Sequence, residues 1–128
     1  MARILFVDDD TLALTLLQKT CQIYGYDALL ANSGREALEL AEVESLDLIV
    51  VDMRMMDMDG LSLLQALTEN PKTQPIPKIM LTAGSGTDIV TKARAAGAVD
   101  CLYKPLNFET LQSILENHQT NGTQYITN

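Results

Sequence analysis

Positive charge is scarce in this 128-residue chain. Nine lysines and arginines stand against seventeen aspartates and glutamates, a formal net charge of -8. That balance argues against nucleic-acid binding, which needs a basic face to neutralise phosphates, and it argues equally against an anionic membrane surface. Long apolar runs are missing too, since no stretch approaches the roughly 18 residues of a membrane span. The N-terminus passes directly into a strand-like run, so no signal peptide is expected. The two cysteines, Cys21 and Cys101, lie in apolar periodic segments without metal-ligand spacing. Reduced, buried thiols and a cytoplasmic setting are the expectation. Internal repeats and low-complexity tracts are absent. Apolar residues make up 47% of the chain, enough for one domain to bury a core without disulfides.

What is present is a set of short apolar runs, each ending in a polar residue. Ile4-Leu5-Phe6-Val7 ends at Asp8 and Asp9, and Leu48-Ile49-Val50-Val51 ends at Asp52. Ile79-Met80-Leu81 ends at Thr82, and Val99 to Tyr103 ends at Lys104. Helical periodicity fills the intervals, which predicts alternating strands and helices around a buried parallel sheet. Thr11 to Tyr24 reads as a helix capped by Asp10 and closed by Gly25, with Ala13, Leu16, Leu17, Thr20, Cys21 and Tyr24 on its inner face. Tyr26 to Ala31 forms a second strand, and Asn32 or Ser33 caps a helix that turns Ala37, Leu38 and Ala41 inward. Asp59-Gly60 opens a third helix, which ends at Asn70-Pro71, and three prolines stiffen the segment from Pro71 to Pro77. A fourth helix runs from about Thr87 to Ala96, and a fifth buries Phe108, Leu111 and Ile114 or Leu115. Five βα units of this kind predict a doubly wound sandwich with strand order 2-1-3-4-5. Residues 1–118 form the domain, and the polar, aperiodic residues 119–128 read as a tail or the start of a linker.

In such a sheet the ligand crevice lies outside the carboxyl ends of the strands. Asp8, Asp9, Asp52, Thr82 and Lys104 all fall there. Three carboxylates in one crevice repel each other, and a hard divalent cation such as Mg²⁺, or Mn²⁺ in its place, relieves that cost. An ionised Asp52 beside the metal can attack phosphorus as an oxygen nucleophile. Phosphoryl transfer needs mainly positioning and charge neutralisation. Lys104 can neutralise one phosphoryl oxygen, the Thr82 hydroxyl can donate to a second, and the metal can take the third. No general base is needed.

The strings Leu5-Phe6-Val7-Asp8-Asp9-Asp10, Val51-Asp52-Met53-Arg54-Met55-Met56-Asp57-Met58-Asp59-Gly60, Leu81-Thr82-Ala83 and Tyr103-Lys104-Pro105 resemble receiver domains of two-component response regulators, in order and at family spacing from residue 3 to about 118. The resemblance implies a flavodoxin-like fold and a signalling domain rather than an enzyme. It implies that Asp52 is the phosphoacceptor, charged by a sensor histidine kinase or a histidine phosphotransfer protein. It implies Asp9 as a direct metal ligand, Asp8 as one acting through water, and the Arg54 carbonyl as a further ligand. Thr82, helped by the Ala83 amide, would be the switch hydroxyl. Lys104 would pair with the phosphoryl group and precede a cis peptide to Pro105. The signal would pass to an output domain or downstream protein that the sequence does not identify.

Two positions depart from the family pattern. Met56 stands where the family usually has proline, which leaves the loop after Asp52 less stiff. Cys101 stands where the family has its switch aromatic, three residues before the lysine, and Tyr103 falls on the same side of the strand, nearer the site. A thiol cannot swing in and out as a ring does. The chain is therefore expected to stay a monomer or weak dimer on phosphorylation and to signal through the loop from Thr82 to Gly86. Thr91, Lys92, Asp100 and Glu109, on the neighbouring face, offer few paired charges for a symmetric dimer. Asp57 and Asp59 read as loop and cap residues, the neighbouring methionines as packing under helix 3, and His118, the single histidine, as a surface residue. A haloacid-dehalogenase-like phosphohydrolase with its nucleophile at Asp8 fits less well, because no glycine precedes Thr11 and Asp52 would have no role. An unphosphorylated scaffold is the remaining reading.

Overall fold

Alternation along the central strands decides the architecture. In β1 (Arg3–Val7), Ile4 and Phe6 pack on one side while Leu5 and Val7 pack on the other. In β3 (Leu48–Asp52), Leu48 and Val50 oppose Ile49 and Val51 in the same way. A strand apolar on both faces is stable only with helices covering both. The computed structural model describes the backbone of residues 1–84 and 87–127, with side chains throughout except Thr87 and residues 118–127. Its remaining elements are α1 (Thr11–Tyr24), β2 (Asp27–Ala31), α2 (Gly34–Val43), α3 (Gly60–Glu69), β4 (Lys78–Thr82), α4 (Thr87–Ala95), β5 (Asp100–Tyr103) and α5 (Phe108–Thr127). The five strands are parallel in the order β2-β1-β3-β4-β5, as expected.

One layer of the core joins the sheet to α1 and α5 through Leu14, Cys21, Phe108, Leu111, Ile114 and Leu115. The other joins it to α2, α3 and α4 through Ala37, Ala41, Leu63, Leu64, Leu67 and Ala93. Both Ile114 and Leu115 are buried. Both cysteines are free and buried, in opposite layers.

The local signals place the helix ends well. Asp10 caps α1, its carboxylate accepting from the amides of Leu12 and Ala13, and Ser33 rather than Asn32 caps α2. Asp59 caps α3 by accepting from Ser62 N at 2.7 Å. Gly25 closes α1 at φ 78°, in the left-handed region where glycine carries no steric penalty. Strand 2 starts one residue later than expected and α4 ends one residue earlier.

The inner face of α1 needs correcting. Leu16 is 67% exposed and Tyr24 40%, while Leu14, not assigned to that face, is 4% exposed. Leu12, Leu14, Leu16 and Leu17 offer two overlapping apolar stripes, and docking on the sheet selects the one through Leu14, Leu17 and Cys21. Met56 is a second correction: Met53, Met55 and Met58 pack against the core, but Met56 is 95% exposed. The segment read as an aperiodic tail continues α5 as helix to Thr127, and the side chains of His118 and the residues after it lie outside the described residues.

Candidate functional site

The four strand ends converge as the sequence requires. Strand register sets Val7 opposite Val51 and Asp52 opposite Leu81, so the residues following β1 and the end of β3 lie side by side. Thr82 pairs with Tyr103, which brings Lys104 to the same edge. Gly60 enables the turn that follows. A Cβ there would lie 2.5 Å from the Asp52 carbonyl oxygen, and its amide donates to the Met53 carbonyl at 2.7 Å.

Lys104 Nζ lies 2.7 Å from Asp52 Oδ1 and 3.5 Å from Asp8 Oδ2. Asp8, Asp52 and Thr82 are 4%, 6% and 3% exposed. Asp9 is exposed to solvent. Carboxylate oxygens of Asp8, Asp9 and Asp52 can all lie within 4.8 Å of one another. The other Asp8 oxygen, Oδ1, accepts from the Asp10 amide at 3.0 Å, which fixes that side chain. Lys104 and Pro105 are joined by a cis peptide bond.

The electrostatics show an acid surplus. Burial pushes the Asp52 carboxyl above the usual carboxylate range; the Lys104 hydrogen bond opposes this and the Asp8 charge adds to it. For the Lys104 ammonium, burial alone would lower the pKa, but the Asp52 hydrogen bond and charge, then Asp8, raise it overall. The ammonium gains from two carboxylates, whereas each carboxylate shares one ammonium. The donors are all oxygen, the chemistry that suits a hard cation such as Mg²⁺ rather than a thiolate- or imidazole-loving metal.

Beside this cluster opens a cavity of about 410 Å³ lined by Asp52, Met53, Arg54, Thr82, Ala83, Gly84, Ile89 and Lys104. Thr82 Oγ1 donates to Met53 Sδ at 3.5 Å and accepts from Gly84 N at 3.1 Å. A thioether is a weak acceptor, so the hydroxyl proton is held loosely and can pass to a better one. Met53 was expected only as packing under helix 3 and Gly84 only as part of the switch loop, and Ile89 was not singled out in the sequence. Met53 and Gly84 adjoin Asp52 and Thr82 in the chain, whereas no local pattern brings Ile89 to the cavity. Cys101 is 8% exposed and packs with Met80 and Ala93, while Tyr103 is 51% exposed. Ser85 and Gly86, in the expected switch loop, lie outside the described residues. Asp57 and Asp59 are caps, although Asp57 caps α2, accepting from Gly34 N and Arg35 N at 3.0 Å each.

Known proteins resemble this chain over almost its whole length. Residues 4–116 match the response regulator receiver domain family. The transcriptional regulatory protein ZraR of Escherichia coli K12 is 43% identical over 114 residues, 88% of this chain but 25% of ZraR. The two-component response regulator ORR21 of Oryza sativa subsp. indica is 35% identical over 117 residues, 90% of this chain and 16% of that protein. The chain thus spans about a quarter or less of these relatives' length. A CheY-like receiver domain from Methanospirillum hungatei JF-1 superposes with a TM-score of 0.86 at 28% identity, covering 94% of this chain and 98% of that one. The chemotaxis response regulator CheY4 of Vibrio cholerae gives 0.82 at 33% identity, covering 92% and 98%. Among the described residues no helix is long and apolar enough to cross a membrane. With its strand order, its strand-end residues and this match over almost its full length, the chain belongs to the family of response regulator receiver domains, signalling domains of two-component systems.

Proposed function

We propose that this receiver accepts a phosphoryl group on Asp52 from the phosphohistidine of a sensor histidine kinase or histidine phosphotransfer protein. One observation carries the reading: the Lys104 ammonium sits 2.7 Å from Asp52 Oδ1, beside three convergent carboxylates at the carboxyl edge of the sheet. A carboxylate oxygen of Asp52 attacks phosphorus and forms the O–P bond. The P–N bond to the donor imidazole breaks, and its electron pair returns to the ring nitrogen. Lys104 pairs with a phosphoryl oxygen, and the Thr82 hydroxyl leaves Met53 Sδ to donate to another, with the Ala83 amide beside it. Asp9, Asp52 and the Arg54 carbonyl would hold Mg²⁺ or Mn²⁺ directly, with Asp8 acting through water; the bound ion supplies neutralising positive charge.

The move of Thr82 toward the phosphoryl group carries the signal into the segment beginning at Ala83. Cys101 is too small to vacate a cavity, so the change passes to an output domain or partner protein through that segment and leaves the chain a monomer or weak dimer. Intact-mass measurement with a small phosphodonor and Mg²⁺ tests the assignment. Wild type is expected to gain one phosphoryl mass, and Asp52→Asn none. Labelling that persists in Asp52→Asn overturns it and returns the nucleophile to Asp8.

A further inference from the structure

The loop between Asp52 and α3 carries the Arg54 carbonyl, yet it lacks the proline that the family places at position 56. Its two ends are fixed. Met53 N donates to the Leu81 carbonyl at 3.0 Å, and Gly60 N donates to the Met53 carbonyl at 2.7 Å. Between them Met56 is 95% exposed and holds nothing. Met55 and Met58 pack against the core, and the polar tie in the middle of the loop is Asp57, which places both carboxylate oxygens on a helix 22 and 23 residues away. Oδ1 accepts from Gly34 N and Oδ2 from Arg35 N, each at 3.0 Å, the first two amides of α2. Ser33 Oγ takes the third amide, that of Glu36, at 3.1 Å.

This is more than a helix end finding a partner. In α1 and α3 the cap is the residue just before the helix, Asp10 and Asp59, whereas α2 has its own cap in Ser33 and still draws in Asp57. The contact is shaped on both sides. A Cβ on Gly34 would clash with Met58 Cγ and Sδ, so glycine at the start of α2 leaves room for the residue after Asp57. The amides, with the positive end of the helix behind them, hold the Asp57 carboxyl below the usual carboxylate range.

We propose that Asp57 is a positioning residue for the metal site, fixing the Arg54 carbonyl by anchoring its loop to the start of α2 in place of the missing proline. The inference rests on the phosphoacceptor reading above. Asp57 touches neither metal nor phosphoryl group; it acts through the two intervening residues, Met55 and Met56.

The test is a calorimetric titration of the full chain with MgCl2, well below the melting temperature, beside a melting curve in EDTA. Asp57→Ala is expected to weaken Mg²⁺ binding about 10-fold, the scale of losing an outer support of a metal ligand. Labelling of Asp52 should slow at low Mg²⁺ and recover when Mg²⁺ is saturating. Asp57→Asn keeps an accepting oxygen without the charge and should fall between; it carries the test if Asp57→Ala does not fold. Met56→Pro added to Asp57→Ala should restore affinity by stiffening the loop another way. A lower melting temperature with an unchanged Mg²⁺ dissociation constant overturns the proposal and leaves Asp57 as a helix cap only. Failure of the proline to restore binding overturns the claim that loop stiffness is what Asp57 supplies. Wild type that binds no Mg²⁺ overturns the phosphoacceptor reading, and this inference falls with it.

Discussion

The two edges of the sheet are built on opposite principles. At the amino edge, charges are matched. Arg3 pairs through Nε with Asp27 at 3.0 Å and through Nη2 with Glu44 at 3.0 Å, while its amide donates to Asp47 at 2.8 Å. Lys78, 2% exposed, donates to the carbonyls of Thr73, Gln74 and Ile76 at 3.3, 3.1 and 2.7 Å. At the carboxyl edge the charges are mismatched: three carboxylates converge, two of them beside the Lys104 ammonium, and the Thr82 hydroxyl donates to a thioether. The difference separates holding the fold from doing chemistry. Satisfied polar groups rigidify, whereas unmatched ones retain the capacity to bind a cation and a phosphoryl group.

The comparison breaks most visibly at Lys104. Replacing it by alanine removes the positive charge facing Asp52 and is expected to slow phosphorylation about 100-fold, as for loss of one preorganised donor. Labelling rates by intact mass check this. The same variant should melt lower in EDTA and gain more from Mg²⁺ than wild type does, because the acid surplus has grown.

At the opposite edge, Lys78→Met should cost stability and leave the labelling rate unchanged. Three carbonyls, one buried and two part-buried, lose their donor, an expected loss of about 2 kcal/mol by urea unfolding. Burial lowers the ammonium's pKa below its ordinary 10.5. The cost of burying that charge is therefore full below the folded pKa and is relieved as pH rises through it toward 10.5. Wild type should gain on Lys78→Met as pH rises through that range. Slowed labelling in this variant would show that the two edges are coupled.

A smaller effect sharpens the contrast. The Asp52 carboxyl is held above its ordinary 3.8, mainly by burial. Its carboxylate therefore destabilises the metal-free fold at every pH above the folded pKa, and the penalty fades as pH falls toward 3.8. In EDTA at neutral pH, Asp52→Asn should melt a few degrees higher than wild type, and the gap should close on acidification or on adding Mg²⁺ to wild type. The smallest effect belongs to neither edge. Leu16→Ala, at a site 67% exposed, should change stability by less than about 0.5 kcal/mol, whereas Leu14→Ala should cost about 2–4 kcal/mol in the same unfolding assay.

Much of this was legible before folding. Asp8, Asp52, Thr82 and Lys104 end apolar runs, and strand order follows from alternating elements, so their convergence could be read from spacing. The caps at Asp10, Ser33 and Asp59 were equally local. Lys78 gave no signal, since a lysine after a proline loop looks like a solvated surface residue; only the folded loop supplies three carbonyls around its ammonium. Ile89 reached the cavity through the packing of α4, which its own helix pattern does not specify.

By itself the sequence determined which residues form strands and helices, where those elements stop, and which polar side chains stand at the strand ends. Those depend on patterns within one or two turns of chain, where neighbours in sequence are neighbours in space. The tertiary structure alone decided which leucines of α1 face the sheet, that Asp57 reaches back to α2, and that Lys78 is buried. Each rests on a contact between separate segments, and several partners were physically acceptable until packing left room for one.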